Sequence, residues 1–447
     1  MSGPNTTPDA RLIDAEEDLV PAPPVAVARR TLRAHPALLL VGIVLASLNM
    51  RAALAAVSPL LSEISDDFGL AATATSLVTT IPLIFMGLAS PLAPKLARRF
   101  GTETALLGAL VLLCGGILLR VAPPVVTLFV GSAFVGTAIA LLNVLMPGLV
   151  KRDFPDRAAA MTALYSTSMI IGATTAAAAA VPLENALGSW RGSLASWALL
   201  AAFAALLWVP QAVISRRGTQ HGQPAATPAH PTTGANTTTD GTGTTGTTTT
   251  TDTAADSSRR LSRTPLAWQI TLFMGSQSLV AYVVIAWLPT VFTDHGMSKS
   301  TAGLVFAYST LLQGVGSFVV PLLAGRMPRQ RMLAVTVATL MASGVVGLLI
   351  APVGGAWLWA TLLGIGQGGA LGLALTMMVL RARDAHTAAR LSGMAQTWGY
   401  LLAAAGPLAL GAVHQVTDGW TLPLLLLLGV CVGLAALGLG AGRNLKV

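Results

Sequence analysis

PALLLVGIVLASLNMRAALAAVSPLL, residues 36–61, is the stretch on which the fold turns. Its length exceeds the roughly 20 apolar residues needed to cross the hydrocarbon core as a helix. It carries a single charge, Arg51, and none of the other long apolar runs has an Asp, Glu, Lys, Arg or His near its middle. A charge well inside a bilayer costs about 2.5–3.5 kcal/mol on insertion scales, so it usually faces a cavity or a partner. With no carboxylate at that depth, the natural partner for Arg51 is an incoming anion or polar acceptor. Snorkelling is the alternative: Arg51 lies about 14 residues, or about 21 Å, past the start of its span, within reach of the far headgroups or a helix end.

The whole chain repeats this pattern. Of its 447 residues, 53% are hydrophobic and 10% charged, against about 25% charged in soluble proteins. Strand alternation is absent, and apolar runs of this length satisfy their backbone only as helices. The reading is an all-α membrane protein embedded in the lipid bilayer. Apolar windows predict twelve transmembrane helices, centred near residues 48, 83, 112, 137, 171, 203, 278, 312, 341, 367, 402 and 430. Assigning loops alternately to two sides sorts the basic residues. Arg29, Arg30 and Arg33, Lys95, Arg98 and Arg99, Lys151, Arg152 and Arg157, Arg216, Arg217, Arg259, Arg260 and Arg263, Arg326, Arg329 and Arg331, Arg381, Arg383 and Arg390, and Arg443 and Lys446 fall on one side. The other keeps Arg120, Arg191 and Lys299 beside the acidic Glu63, Asp66 and Asp67. The positive-inside rule then places both termini in the cytoplasm of a multi-pass cell-membrane protein. The net charge of +9 orients the chain, and no nucleic-acid partner is expected.

Five segments follow. Residues 1–34 are a polar tail without signal-peptide order, so the first span is expected to be retained. Residues 35–215 and 263–441 are two six-helix bundles. Residues 216–262 include TTGANTTTDGTGTTGTTTTTDT, a composition that cannot bury enough apolar area to order itself and reads as a flexible cytoplasmic linker. Residues 442–447 form a short cytoplasmic tail. The bundles carry a duplication: DFGLAATATSLV from Asp67 aligns without a gap to DHGMSKSTAGLV from Asp294, and PLAPKLARR from Pro91 matches PLLAGRMPR from Pro321. Two parallel halves joined by a long linker suggest rocking about a central site.

The strings SLNMRAALAAVSPLL around Arg51, SQSLVAYVVIAWLP from Ser276, LGIGQGGALGLAL from Leu363 and LSGMAQTWGYLLAAAGP from Leu391 resemble the major facilitator superfamily, and within it the cyanate and nitroimidazole porter branch. The resemblance covers residues 35–215 and 263–440. It departs at Ala52, where the branch commonly has Pro, and in PLAPKLARRFG, which lacks the usual acidic residue of the loop between spans 2 and 3. It implies two pseudo-symmetric six-helix bundles, with spans 1, 4, 5, 7, 8, 10 and 11 lining the cavity.

Polar residues inside those spans are the substrate-binding candidates: Asn49 and Arg51, Asn143, Tyr165, Gln277 and Tyr282, Tyr308 and Gln313, Gln367, and Gln396 and Tyr400. Gln396 and Tyr400 are four apart and share a helical face. A guanidinium fork suits carboxylate, nitro or nitrate-like oxygens, and tyrosines add a ring and a hydroxyl. A mid-span Gln or Asn can equally bridge two helices. All eighteen carboxylates and six histidines fall in tails, loops or span ends, so no buried titrating relay is evident. Uniport, antiport and symport with a proton on the substrate all fit. Cys114 and Cys431 have no metal spacing and no GxxxxGK[ST] loop appears, so neither metal nor cofactor is expected. The expectation is a monomeric secondary transporter of a small anionic or electron-rich polar solute, cyanate-like or nitroimidazole-like, working by alternating access. A multidrug exporter of amphiphiles is the alternative, and a membrane enzyme or sensor a remote one.

Overall fold

The computed structural model describes residues 36–70, 72–220 and 263–447, which are helical apart from turns and short loops. The N-terminal half comprises α1 (Pro36–Ala55), α2 (Leu61–Phe68), α3 (Ala72–Ala89), α4 (Leu92–Phe100), α5 (Thr102–Arg120), α6 (Val125–Asp153), α7 (Ala158–Leu187) and α8 (Trp190–Gln220). The C-terminal half comprises α9 (Pro265–Asp294), α10 (Lys299–Arg326), α11 (Arg331–Ile350), α12 (Ala356–Arg381), α13 (Ala385–Thr417) and α14 (Thr421–Ala441). Among the described residues eleven helices are long and apolar enough to cross a membrane, and α3 with α4, bent by 57°, make up to a twelfth span. The bend has a local cause. Pro91 has no N–H to return to the chain, and Ser90 Oγ turns back onto Met86 O at 2.6 Å, so α3 stops and α4 restarts. The tail over 1–34 and the linker from 221 to 262 lie outside the described residues.

The duplication is visible as paired packing. In the first half α1 packs on α7, α3 on α6, α5 on α6 and α5 on α8. In the second, α9 packs on α13, α10 on α12, α11 on α12 and α11 on α14. The aligned Asp-x-Gly segments do the same work in each. Trp190 Nε1 donates to Asp67 at 3.2 Å and Trp420 Nε1 to Asp294 at 2.8 Å, while Gly69 and Gly296 take φ of 61° and 91°, a conformation that favours glycine. Both tryptophans are buried and tie a loop to a helix start.

Without a hydrophobic force between helices in lipid, close approach comes from small residues. On α12, 89% of the most apolar window is buried inside the molecule. A Cβ on Gly364 or Gly368 would run into the α10 backbone at Ser309 or Gln313, so α10 and α12 touch backbone to backbone. The two halves meet through α7 with α10 and through α3 and α6 with α13. These contacts gather toward the end that carries the basic loops. There a Cβ on Gly325 would strike Ala159, and one on Gly148 would lie 3.1 Å from Ala385 O. The chain end is held at the same face: Val447 N–H donates to Arg381 O at 2.9 Å, and Gln330 N–H to Gly442 O at 3.0 Å.

Candidate site between the two halves

Helix length spreads the polar candidates over the middle depths of the bundle. Counting from the basic end of each helix at 1.5 Å per residue, Tyr165 on α7 lies about 11 Å in, Asn143 on α6 about 15 Å, Gln396 on α13 about 17 Å, Arg51 on α1 and Tyr400 on α13 about 22 Å, and Tyr282 on α9 about 26 Å. That is the middle of the bundle. Arg51 is half-buried, and α1 makes its principal contacts within its own half. Its positive charge nevertheless acts on Tyr282 and Tyr400, both in the other half. Among the described residues Arg51 forms no ion pair. Among the described residues Arg51 is thus a cation without an ion pair, within electrostatic range of two tyrosines of the other half.

Below this level lies a polar contact between the halves that proline creates. Pro147 sits inside α6 and cannot donate to the carbonyl four residues back, so Asn143 O is left without its helical partner. The opposite half supplies one. Gln396 Nε2 donates to Asn143 O at 2.8 Å, and Ser392 Oγ approaches it at 3.5 Å. The Asn143 side chain completes the contact, Nδ2 donating to Tyr400 Oη at 3.2 Å. Pro321 inside α10 frees Ser317 O in the same manner, and Ser166 Oγ of α7 donates to it at 3.1 Å. Each half thus carries a proline-freed carbonyl that the other half captures. Gln396 Oε1 and Tyr165 Oη are buried without a protein partner.

The remaining candidates are held elsewhere. Asn49 donates to Leu45 O at 2.9 Å and Leu200 O at 3.3 Å, bridging α1 to α8. Gln277 donates to Ser278 Oγ at 2.7 Å within α9. Gln313 Nε2 donates to Gln367 Oε1 at 3.0 Å in the seam of α10 and α12. Tyr308 accepts from Thr361 Oγ1 at 3.2 Å and meets Trp357 edge to face, ring centroids 5.3 Å apart. Two contributors escaped the sequence reading. Arg120 closes α5 and looks like a loop residue by position, yet it is only 2% exposed. Its Nη1 donates to Ala53 O at 2.8 Å and its Nε to Ser132 Oγ at 3.0 Å. It thereby caps the frayed end of α1 half a turn beyond Arg51. Ser392 was missed because a serine four residues before Gln396 carries no signal until α6 lies against it. Among the described residues no cluster of three His, Cys, Asp or Glu could hold a metal.

Comparison with known proteins agrees with this architecture. The family model described as Major Facilitator Superfamily matches residues 39–407. The chain is 39% identical to the 2-nitroimidazole transporter of Escherichia coli (strain K12), over 92% of this chain and 96% of that one. It is 26% identical to the cyanate transport protein CynX of the same organism, over 86% and 91%. Among solved structures, the proton:xylose symporter XylE superposes with a TM-score of 0.68 at 14% identity, covering 89% of this chain and 94% of that one. The fucose:proton symporter FucP, in the outward conformation, superposes at 0.64 with 12% identity, covering 90% and 98%. At such identities the structural likeness speaks for the fold.

Proposed function

The chain belongs to the major facilitator superfamily of secondary transporters, and we infer that within it this protein carries a small anionic or electron-rich polar solute, nitroimidazole-like or cyanate-like, across the cell membrane. The observation that carries this reading is Arg51, a mid-span cation with no ion pair among the described residues, whose charge reaches Tyr282 and Tyr400 across the gap between halves. Its fork of N–H groups suits a nitro, carboxylate or cyanate acceptor, and the two tyrosines supply a ring face and hydroxyls. The relatives named for 2-nitroimidazole and cyanate handle solutes of this character. An exporter of cationic amphiphiles calls for a buried acid at this depth, and the span middles are without one.

The solute neutralises Arg51 and lets the halves rock as rigid bodies. The basic loops assign the closed end and both termini to the cytoplasm, so this conformation is the outward-facing one, in a protein that acts as a monomer. Asn143, Tyr165 and Gln396 form the polar floor of the site, while Asn49, Gln277, Tyr308, Gln313 and Gln367 brace the helices that shape it. The test is a thermal-shift screen of purified protein against 2-nitroimidazole, cyanate, nitrate and small carboxylates, repeated with Arg51→Lys and Arg51→Ala. Ligand-induced stabilisation is expected in the parent protein and lost in both variants, because Lys keeps the charge without the fork. Undiminished binding by Arg51→Ala would refute the assignment.

A further inference from the structure

Among the described residues Arg51 forms neither an ion pair nor a hydrogen bond, although it is half-buried at mid-span. The carboxylates carried by the long spans stand at their ends: Glu103 and Asp153 at the basic ends of α5 and α6, Glu184 and Asp294 in the last turns of α7 and α9. Helical rise sets them about 17–22 Å above or below the level of Arg51. The charged neighbour that α1 does have is another cation. Arg120, 2% exposed, donates from Nη1 to Ala53 O at 2.8 Å, which brings a second guanidinium to the turn of α1 that follows Arg51. We propose that the protein is an obligate exchanger: one small monovalent anion leaves on Arg51 for each that enters, and the carrier crosses between its two conformations only when loaded.

The inference rests on the solute-binding role of Arg51 and follows from the charge of the two crossing forms. A carrier open to either side lets water hydrate a mid-span guanidinium, but the passage between those states goes through one closed at both ends. There the loaded carrier holds a guanidinium–anion pair, and the empty carrier a bare cation deep in the bilayer. The cost of such a charge on insertion scales converts to about a 70- to 400-fold slower crossing. A carrier that returns empty needs a group to take over the charge, either an acid that pairs with the cation or a site that titrates. The span ends hold the carboxylates, and the described histidines are at ends too: His295 caps α9, while His386 and His414 lie in the first and last turns of α13. Tyr282 and Tyr400 are phenols, uncharged at neutral pH. Arg120 adds like-charge repulsion, and its bonds to Ala53 O and Ser132 Oγ hold it in place. One-for-one exchange of monovalent anions moves no net charge, so the gradient of the counter-solute drives it. That counter-solute is a second small anion whose acceptor atoms suit the same guanidinium fork.

The test compares exchange with net flux. Purified protein is reconstituted in liposomes with equal potassium on both sides and valinomycin, so that charge build-up does not limit net uptake. Radiolabelled cyanate, and separately radiolabelled 2-nitroimidazole, is added outside vesicles whose lumen holds either the same unlabelled solute or potassium gluconate. Protein-free vesicles give the leak. Initial uptake into solute-loaded vesicles should exceed uptake into gluconate vesicles about 70- to 400-fold. Arg51→Gln, whose empty form carries no charge at that position, should bring the ratio toward one; a ratio that stays high in this variant overturns the proposal. Equal initial rates in the two loadings, from a protein whose ligand-induced stabilisation is lost in Arg51→Ala, overturn obligate exchange and leave the solute assignment standing. Stabilisation that survives in Arg51→Ala removes the solute assignment, and obligate exchange with it.

Discussion

Replacing Gln396 with Leu tests whether the proline-freed carbonyl of Asn143 helps to hold the two halves together. In the present state Gln396 Nε2 donates to that carbonyl at 2.8 Å and to Ser392 Oγ at 2.9 Å. A typical hydrogen bond contributes about 0.5–1.5 kcal/mol net, and a buried acceptor left unsatisfied costs about 1–3 kcal/mol. Ser392 Oγ, 3.5 Å away, recovers part of the loss, so about 1–2 kcal/mol is expected against the state closed at the basic end. That amounts to about a five- to thirtyfold fall in the closed-to-open ratio, readable from the distance between spin labels at Phe100→Cys and Arg329→Cys, both exposed at the basic end, in a Cys114→Ala, Cys431→Ala background with no substrate present. Pro147→Ala supplies the missing control. It returns a main-chain N–H to Asn143 O, so Gln396→Leu in that background should shift the ratio much less. Contacting residues couple by about 0.5–3 kcal/mol, whereas independent sites add to within about 0.3–0.5 kcal/mol. Strict additivity of Gln396→Leu with Pro147→Ala, or an unchanged distance distribution in Gln396→Leu alone, would refute the reasoning.

Gly368→Ala should lower the melting temperature, since its Cβ would land on the α10 backbone at Gln313 and overpacking costs about 1–3 kcal/mol or more. Gly108→Ala, with nothing within 4 Å of its added Cβ, should leave melting unchanged or raise it slightly by helix propensity. Asp384 caps α13, and the Thr387 backbone N–H holds its carboxyl below the ordinary carboxylate range. A depressed carboxyl contributes stability above its unfolded pKa and loses it as pH falls through the folded value. Asp384→Ala should therefore cost about 1 kcal/mol near neutral pH, with parent and variant melting curves converging as pH falls through the depressed folded value. A gap that stays constant down to that pH would exclude the cap as its source.

The resemblance strings and the hydropathy windows agree with the structure because span length and apolarity are properties of contiguous sequence. The same is true of the repeated segments beginning at Asp67 and Asp294, whose glycine turns depend on residues at fixed short offsets. Arg51 was legible for the related reason that a charge is conspicuous against an apolar run. The depth of each polar candidate could also be estimated from sequence alone, since helical rise is constant. Which way each one points could not. Asn49 is two residues from Arg51 yet bonds α8, while Arg51 acts on the other half.

What the chain determined by itself was therefore its spans, its duplicated halves, the sidedness of its basic loops and one isolated mid-membrane cation. Those follow from burying apolar length in lipid and from the cost of a lone charge there. Only the tertiary structure decided that Arg120 is interior, that Gln313 and Gln367 pair with each other, and that carbonyls released by Pro147 and Pro321 are captured from the opposite half. Those contacts join residues far apart in sequence, and a hydrogen-bond partner is chosen by which helix face arrives alongside.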